Sequence, residues 1–221
     1  MIKINKQSFV VFDLDDTLYK EKSYNISGLN AVSAFVKKIY ENDLGNLLVE
    51  WQQAGIKDIW QNLCHHLQLN TSVKESFLWI YRLHQPNISL SKETKEILHL
   101  IQQSTAGIAI LTDGRSTTQR LKIAALGLDQ LPAFISEDWQ SEKPDPKRFI
   151  EISHRYKADN YVYIGDNPKK DFKAPNELGW HTIGLIGDSE NIHSQSVENL
   201  EQIFLPNIWV ESLDNLREFL C

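Results

Sequence analysis

The sequence has few of the features that mark secreted, membrane or nucleic-acid-binding proteins. Its 221 residues include only two cysteines, so we expect no disulfide framework and favour a reducing compartment. The N-terminal segment lacks the apolar stretch of a signal peptide, and no apolar run approaches the length of a membrane span. A net charge of −6 offers no basic surface for nucleic acid. These absences predict a cytoplasmic protein that binds neither membranes nor nucleic acids.

What the chain does contain is apolar strands that end in carboxylates. The apolar residues 10–12 lead into Asp13 and Asp15, which share one face of an extended segment because side chains alternate along a strand. Ligands of open α/β sheets bind beyond the carboxyl ends of such strands. Neighbouring carboxylates repel each other unless a cation or a shared proton relieves them. The pair therefore predicts a divalent-cation site with one reactive carboxylate, the alternative being an acidic turn that caps a helix.

Three later segments favour the cation site. A second apolar strand ends at Thr112, whose hydroxyl can donate to a phosphoryl oxygen. Lys143 stands just before a proline-bounded turn and a helical pattern, from where it can reach into a site. A third strand ends at Asp166, and Asp171 follows five residues later. Mg²⁺ is usually held by one or two carboxylates together with water, so these residues are sufficient for it.

Taken together, the motifs resemble those of the haloacid dehalogenase superfamily of phosphohydrolases over roughly residues 8–185. The residues that match its four motifs, in chain order, are Asp13 with Asp15, then Thr112, then Lys143, and finally Asp166 with Asp171. The sequence around Thr112 further resembles a subgroup that includes sialic acid 9-phosphate phosphatases and house-cleaning nucleotidases.

This resemblance implies a Mg²⁺-dependent phosphatase that acts through an aspartyl-phosphate on a phosphosugar or a nucleotide monophosphate. Asp13 is the expected nucleophile and Asp15 the expected acid and base. Thr112 and Lys143 are expected to stabilise the transferring phosphoryl group. The side chain of Asp15 also distinguishes a phosphatase from the dehalogenases of the superfamily, which lack this carboxylate.

The resemblance also implies metal and substrate contacts. The expected metal ligands are Asp13, Asp15 through its backbone carbonyl, Asp166, and Asp171, which could instead orient Lys143. The expected phosphate- and substrate-binding residues are Thr112, Asp113, Gly114, Arg115 and Lys143. Arg115 is the candidate specificity residue, the alternative being an exposed helix start, and Asp113 could equally cap a turn.

Two other functions remain open at this stage. A phosphotransferase or phosphomutase would use the same aspartyl-phosphate but return the phosphoryl group to a sugar. A non-catalytic receiver or scaffold would share carboxylates, a threonine and a lysine, in a shorter chain without a helical insertion. The chain is expected to be a monomer or a weak homodimer.

The pattern of apolar residues predicts an interrupted α/β domain. Residues 20–89 show helical spacing, as at Leu29, Val32 and Val36, and resemble a C1-type helical-bundle cap. Residues 1–19 plus 90–221 alternate strands and helices, which indicates a Rossmann-like parallel sheet. Within this core we expect a helix over 169–178 and a last parallel strand over 182–185. A final edge strand over 207–210 and a helix over 212–220 should follow.

Overall fold

The computed structural model describes residues 2–193 and 195–221 and contains a parallel sheet of six strands. The strands are β1 (Ser8–Phe12), β2 (Gly107–Thr112), β3 (Ala133–Ile135), β4 (Asn160–Gly165), β5 (His181–Leu185) and β6 (Ile208–Val210). Their order across the sheet is β3-β2-β1-β4-β5-β6, and every neighbouring pair is parallel. The predicted Rossmann-like α/β fold is therefore confirmed.

Strand β1 lies at the middle of the sheet, and all five of its residues are buried. Phe9 and Val11 belong to a core cluster with Phe149 and Ile152, while Val10 alternates to the opposite face and is buried there as well. Burial on both faces explains why the strand is a continuous apolar run rather than an alternating one.

Helices connect the strands of this sheet. They are α5 (Lys92–Ser104), α6 (Ser116–Ala125), α7 (Ser136–Trp139), α8 (Lys147–Arg155) and α9 (Lys173–Glu177). Helix α5 begins at an N-cap serine, Ser91, whose side chain accepts a hydrogen bond of 3.0 Å from the Thr94 amide. No helix within the described ranges is long and apolar enough to cross a membrane.

The chain forms two compact units, Met1–Glu21 with Ser89–Cys221 and the intervening Lys22–Ile88. The second unit is helical, with most of α1 (Glu21–Tyr40), α2 (Leu47–Gln53), α3 (Ile59–His66), α4 (Lys74–Leu83) and a short 3₁₀ helix, Thr71–Val73. Its interior is a hydrophobic cluster that includes Leu29, Leu63 and Phe77. The interpretation of residues 20–89 as a C1-type cap stays a prediction.

Three details of the sheet unit differ from the sequence-based expectation. The helix predicted over 169–178 is confined to Lys173–Glu177, because Asp171 is held in a turn by backbone and side-chain hydrogen bonds with Asn167. The C-terminal helix is a 3₁₀ helix, Leu213–Phe219, with a capping box at Ser212. The parallel core does not end at β5, since the predicted edge strand β6 is also parallel to it.

Candidate active site

Parallel pairing brings the ends of three strands together. Asp13 follows β1 directly, Thr112 is the last residue of β2, and Asp166 follows β4. Strand β1 pairs with both β2 and β4, so its carboxyl end lies between theirs. The backbone amide of Asp13 continues this ladder by donating to the Ile164 carbonyl at 2.8 Å. The site therefore forms from segments that are far apart in sequence.

Three buried carboxylates form the acidic cluster, which we define as Asp13, Asp166 and Asp171. One oxygen of each lies within 4.8 Å of the others. The Lys143 ammonium donates to Asp13 Oδ1 at 2.7 Å and to Asp171 Oδ1 at 2.5 Å. It also contacts the Tyr163 hydroxyl at 3.1 Å. One cation thus faces three carboxylates, which leaves the acidic cluster without full charge compensation from Lys143.

The electrostatics of the acidic cluster follow from burial and from this excess of negative charge. Burial, reinforced by Asp171 and Asp166, raises the pKa of Asp13 well above its usual range, against the opposing effect of Lys143. Burial, and then Asp171, raise the pKa of Asp166 to about 7. Burial alone would lower the pKa of Lys143, but Asp13 and Asp171 outweigh it and raise that pKa. A further cation would relieve the repulsion among these acids.

The donor set of the acidic cluster fits a hard divalent cation, because it consists of carboxylate oxygens alone. Both oxygens of Asp171 already have partners, since Oδ1 accepts from Lys143 and Tyr163 and Oδ2 accepts from the Asn167 amide at 2.7 Å. The oxygens of Asp166 have only longer contacts with neutral groups, the Thr17 hydroxyl at 3.4 Å and the Asn191 amide at 3.2 Å, so Asp166 is more available than Asp171 to a cation. Asp171 contacts Lys143, and whether it binds a metal or orients Lys143 stays a prediction.

Gly165 makes room for Asp171. A Cβ atom at position 165 would lie 2.5 Å from Asp171 Oδ2, a distance that no side chain can adopt. The glycine before Asp166 thus allows the carboxylate of Asp171 to close over the end of β4. Close packing of the Asp171 carboxylate against Gly165 therefore accounts for the glycine that precedes Asp166 in the fourth motif.

The side chain of Asp15 lies apart from the acidic cluster. Its Oδ1 accepts from the Tyr19 hydroxyl at 2.5 Å and from Lys122 Nζ at 2.8 Å, and its Oδ2 accepts from Gln119 Nε2 at 2.9 Å. The expected metal contact of Asp15 concerns its backbone carbonyl, so these contacts leave that expectation untested. The sequence analysis did not identify Tyr19, Gln119 or Lys122.

Asp113 is an ion-paired residue at the edge of the site. Its carboxylate accepts from the guanidinium of Arg148, from the Lys143 amide at 3.2 Å, and from Lys170 Nζ at 3.4 Å. Burial by itself would raise the pKa of Asp113, but Lys143 and Arg148 outweigh it and lower that pKa. Arg148 is fully buried and also donates to the carbonyls of Thr112 and Phe134. Its position after Lys147 in an amphipathic helix gave no signal of this role.

Arg115 is not among the residues that contact Asp13. Its side chain is 53% exposed and its guanidinium is 3.7 Å from Glu137, so its immediate partner is a surface acid. It is also the N-cap residue of α6, which is the helix-start alternative considered for it. Gly114 precedes it with a φ of 143°, a conformation that favours glycine.

A cavity of about 120 Å³ opens above these groups. Asp13, Asp15, Thr112, Asp113, Lys143 and Asp166 line it, together with Glu21, Asn167, Lys170 and His193. Of the predicted substrate-binding residues, Gly114 and Arg115 are outside this lining. The cavity is small and polar, and five carboxylates line it against two lysines, so a small anion would be bound there together with a cation.

The sequence relatives of the chain are enzymes. The chain is 30% identical to a glyceraldehyde 3-phosphate phosphatase of Methanopyrus kandleri, with 95% of this chain and 97% of the relative covered. It is 26% identical to a ribulose-1,5-bisphosphate 5-phosphatase of Halopiger xanaduensis, with 95% and 96% covered.

Solved structures and a family model agree with this relationship. The fold is similar to a crystal structure of a 2-haloacid dehalogenase from Pseudomonas syringae pv. tomato, with a TM-score of 0.61 and 19% identity over 99% of this chain and 98% of the other. At that identity the likeness concerns the fold alone. Residues 10–185 match the model of the haloacid dehalogenase-like hydrolases, which spans all the motifs described above. The chain belongs to the haloacid dehalogenase-like hydrolase family.

Proposed function

We propose that the protein is a Mg²⁺-dependent phosphatase that hydrolyses a small phosphorylated carbohydrate through an aspartyl-phosphate on Asp13. The observation that carries this proposal is the contact between Asp13 and Lys143 inside the acidic cluster, at the floor of a small cavity. A nucleophile beside a buried ammonium is the arrangement that attack on an anionic phosphoryl group requires.

In the proposed first step, a carboxylate oxygen of Asp13 forms a bond to phosphorus and the ester bond between phosphorus and the leaving oxygen breaks. Asp15 in its acid form gives its proton to that leaving oxygen, which departs as an alcohol. Thr112 and Lys143 donate hydrogen bonds to the transferring phosphoryl oxygens. Lys143 already contacts Asp13, so a phosphoryl group on Asp13 would lie within reach of the ammonium and could take over one of its present hydrogen bonds.

In the proposed second step, a water oxygen forms a bond to phosphorus and the bond to Asp13 breaks. Asp15, now a carboxylate, accepts the proton of this water, and inorganic phosphate leaves. Asp13 returns to its carboxylate form and Asp15 to its acid form. One residue thus serves as acid in the first step and as base in the second, which a carboxyl group can do.

Mg²⁺ would be held by Asp13 and Asp166. When bound, it would supply the positive charge that offsets repulsion between an anionic nucleophile and an anionic substrate. The excess of negative charge in the acidic cluster and its oxygen-only donor set support this assignment. Asp171 would act on Lys143 rather than on the metal.

The relatives narrow the proposed substrate class. Two of them are named for phosphorylated carbohydrates of three and five carbons, glyceraldehyde 3-phosphate and ribulose 1,5-bisphosphate. A cavity of about 120 Å³ in the sheet unit also suits the phosphoryl end of a small substrate. We therefore favour triose and pentose phosphates over nucleotide monophosphates.

The test measures phosphate release from triose phosphates, pentose phosphates and nucleotide monophosphates, with Mg²⁺ and with EDTA. Asp13→Asn keeps the shape of the nucleophile and removes its reactivity, so release should fall by at least about 10³-fold. Asp129→Asn is the matched control, because Asp129 is an exposed acid that contacts Gln130.

Release that requires both Mg²⁺ and Asp13, and that is fastest with a sugar phosphate, would support the proposal. Release that persists in Asp13→Asn would refute the aspartyl-phosphate route. A folded wild-type protein that releases no phosphate from any member of the panel with Mg²⁺ present would refute the phosphatase assignment.

A further inference from the structure

Two polar side chains of α6 converge on the carboxylate of Asp15. Gln119 and Lys122 stand three residues apart, so they project from the same face of the helix. Gln119 Nε2 donates to Asp15 Oδ2 at 2.9 Å, and Lys122 Nζ donates to Oδ1 at 2.8 Å. One helix therefore binds both oxygens of the proposed acid and base.

Gln119 also contacts Thr112, the other strand-end residue at this site. Its Nε2 lies 2.8 Å from Thr112 Oγ1 and 2.7 Å from the Asp113 carbonyl, so its two hydrogens are shared among these two acceptors and Asp15 Oδ2. Where the Thr112 oxygen accepts, its own hydrogen remains available to donate to a phosphoryl oxygen. The opposite amide orientation would bring Oε1 against the Asp113 carbonyl, so the orientation with Nε2 toward these oxygens is favoured, and it leaves Oε1 buried without a hydrogen-bond partner among the described residues.

The position of Gln119 is fixed by its surroundings. Its side chain is 1% exposed. A Cβ at Gly114 would lie 3.0 Å from Gln119 Nε2, and the φ of 143° at that glycine already disfavours other residues. Gly114 therefore leaves the space in which the amide group of Gln119 reaches Thr112 and Asp15.

Lys122 is a buried cation, which requires an explanation. It is 3% exposed, with its ammonium between Asp15 at 2.8 Å and Glu21 at 3.7 Å. A buried ion pair often contributes no more to stability than apolar residues of the same volume. The presence of Lys122 is therefore tied to that of the two acids it pairs with, and one of them is Asp15.

Three side chains hold the carboxyl group of Asp15 in one orientation. Tyr19 and Lys122 contact its Oδ1 and Gln119 contacts its Oδ2, so both oxygens are fixed. Asp15 also lines the cavity beside Asp13. These contacts therefore keep the proposed acid and base at the place where a water or a leaving group would meet it.

We propose that Gln119 and Lys122 are positioning residues that hold Asp15 as the base for hydrolysis of the aspartyl-phosphate. Gln119 also directs the Thr112 hydroxyl to the phosphoryl group. This inference rests on the proposed function, because it assigns a role within the second half of that reaction. It predicts that loss of Lys122 slows breakdown of the aspartyl-phosphate more than its formation.

The test uses p-nitrophenyl phosphate, whose leaving group departs without a proton and so isolates the second step. In Lys122→Met, rapid mixing should show a burst of one nitrophenolate per protein, followed by turnover about 10²-fold slower than in the wild type. Acid quenching and mass spectrometry should find the phosphoryl group on Asp13 in the variant. The ratio kcat/KM should change little, because it reports only the steps up to formation of the aspartyl-phosphate, and the KM should therefore fall together with kcat.

Three further variants distinguish a role in positioning Asp15 from a role in folding. Lys122→Arg keeps a cation that can donate to Asp15, and should restore turnover to within about tenfold of the wild type. Gln119→Met should slow both the burst and the later turnover, because it removes donors to Thr112 and to Asp15. Arg120→Met is the matched control, since Arg120 is an exposed α6 cation paired with Asp138, and it should behave as the wild type.

Different results would contradict different parts of the proposal. If folded Lys122→Met turns over like Arg120→Met, or loses turnover without accumulating phosphorylated Asp13, the positioning role is overturned. If Lys122→Met does not fold, Gln119→Met decides, and a folded Gln119→Met that keeps the burst and the turnover of Arg120→Met overturns the positioning role. A wild-type protein that releases phosphate neither from p-nitrophenyl phosphate nor from any member of the substrate panel would overturn the proposed function, and this inference with it.

Discussion

The interiors of the two units differ in chemistry. The helical unit is filled by aliphatic and aromatic side chains, and among its described residues only His84 is both buried and polar. The sheet unit buries several ionisable side chains at the carboxyl end of its strands. They include Asp13, Asp166, Asp171, Lys122, Lys143 and Arg148.

This difference shows where stability and function are located. Apolar burial stabilises a fold at about 25 cal/mol for each Å² removed from water, and it does not depend on pH. Buried charges must be paired and hydrogen-bonded merely to offset the loss of their hydration. The acidic cluster has more carboxylates than cations, so it is the part of the interior that packing alone does not explain.

The largest expected effect comes from removing the cation of the acidic cluster. Lys143→Met leaves Asp13 and Asp171 without their shared donor, so the free energy of unfolding should fall by about 3–5 kcal/mol. The kcat for phosphate release should fall by about 10³-fold, because the phosphoryl group also loses its ammonium donor. Chemical denaturation and steady-state kinetics on the folded fraction would measure the two losses separately.

Lys92→Met is the control for this change. Lys92 is an exposed lysine 3.7 Å from Glu96, and a surface pair of this kind contributes about 0–1 kcal/mol. If Lys143→Met proved no less stable than Lys92→Met, the acidic cluster would not depend on its internal cation.

A smaller effect is expected in the apolar interior of the helical unit. Leu63 is fully buried in its hydrophobic cluster, so Leu63→Ala should cost about 2–4 kcal/mol of unfolding free energy through lost burial and a cavity. The cost should be the same at pH 5 and pH 8, because the substitution removes only apolar contacts. Denaturation at the two pH values measures it, and a strong pH dependence would contradict the contrast between the units.

The smallest effect is a gain in stability. The pKa of Asp166 is about 7 in the folded protein and about 3.9 in an unfolded chain, so the folded state retains a proton that the unfolded state loses between these values. The stability of the metal-free protein should therefore decline as pH rises from about 4 to 7. Asp166→Asn removes this decline and should stabilise the metal-free protein by about 1–2 kcal/mol at pH 8.

Thermal unfolding with EDTA at pH 5 and pH 8 measures this gain. Added Mg²⁺ should raise the melting temperature of the wild type and have a much smaller effect on Asp166→Asn. A variant that is less stable than the wild type at pH 8 without metal would show that Asp166 stabilises the fold by itself.

The sequence allowed the sheet to be predicted because each core strand is a short apolar run that ends at a distinctive residue. Asp13, Thr112 and Asp166 occupy such ends, and parallel pairing of three strands then requires them to meet. Lys143 was found through the proline-bounded turn that precedes α8. The spacing of apolar residues and the residue types at strand ends are local features of the sequence, so they can be recognised before the fold is known.

The supporting residues carried no such signal. Gln119, Lys122 and Arg148 are polar side chains on helices, where the usual location is the solvated face. Their burial depends on which side of α6 and α8 faces the strand ends, and that is set by tertiary packing. The shortened helix after Asp171 has the same origin, because a carboxylate turned toward Lys143 competes with the helical hydrogen-bond pattern.

The two outer strands of the sheet have a consequence for the behaviour of the protein at high concentration. Strands β3 and β6 are each only three residues long, although the strands between them have five or six. Short outer strands offer few unpaired amide and carbonyl groups to a strand of another molecule. Strands of other molecules can therefore form few hydrogen bonds with the edges of this sheet. We expect the folded protein to resist aggregation into fibrils by edge-to-edge strand pairing.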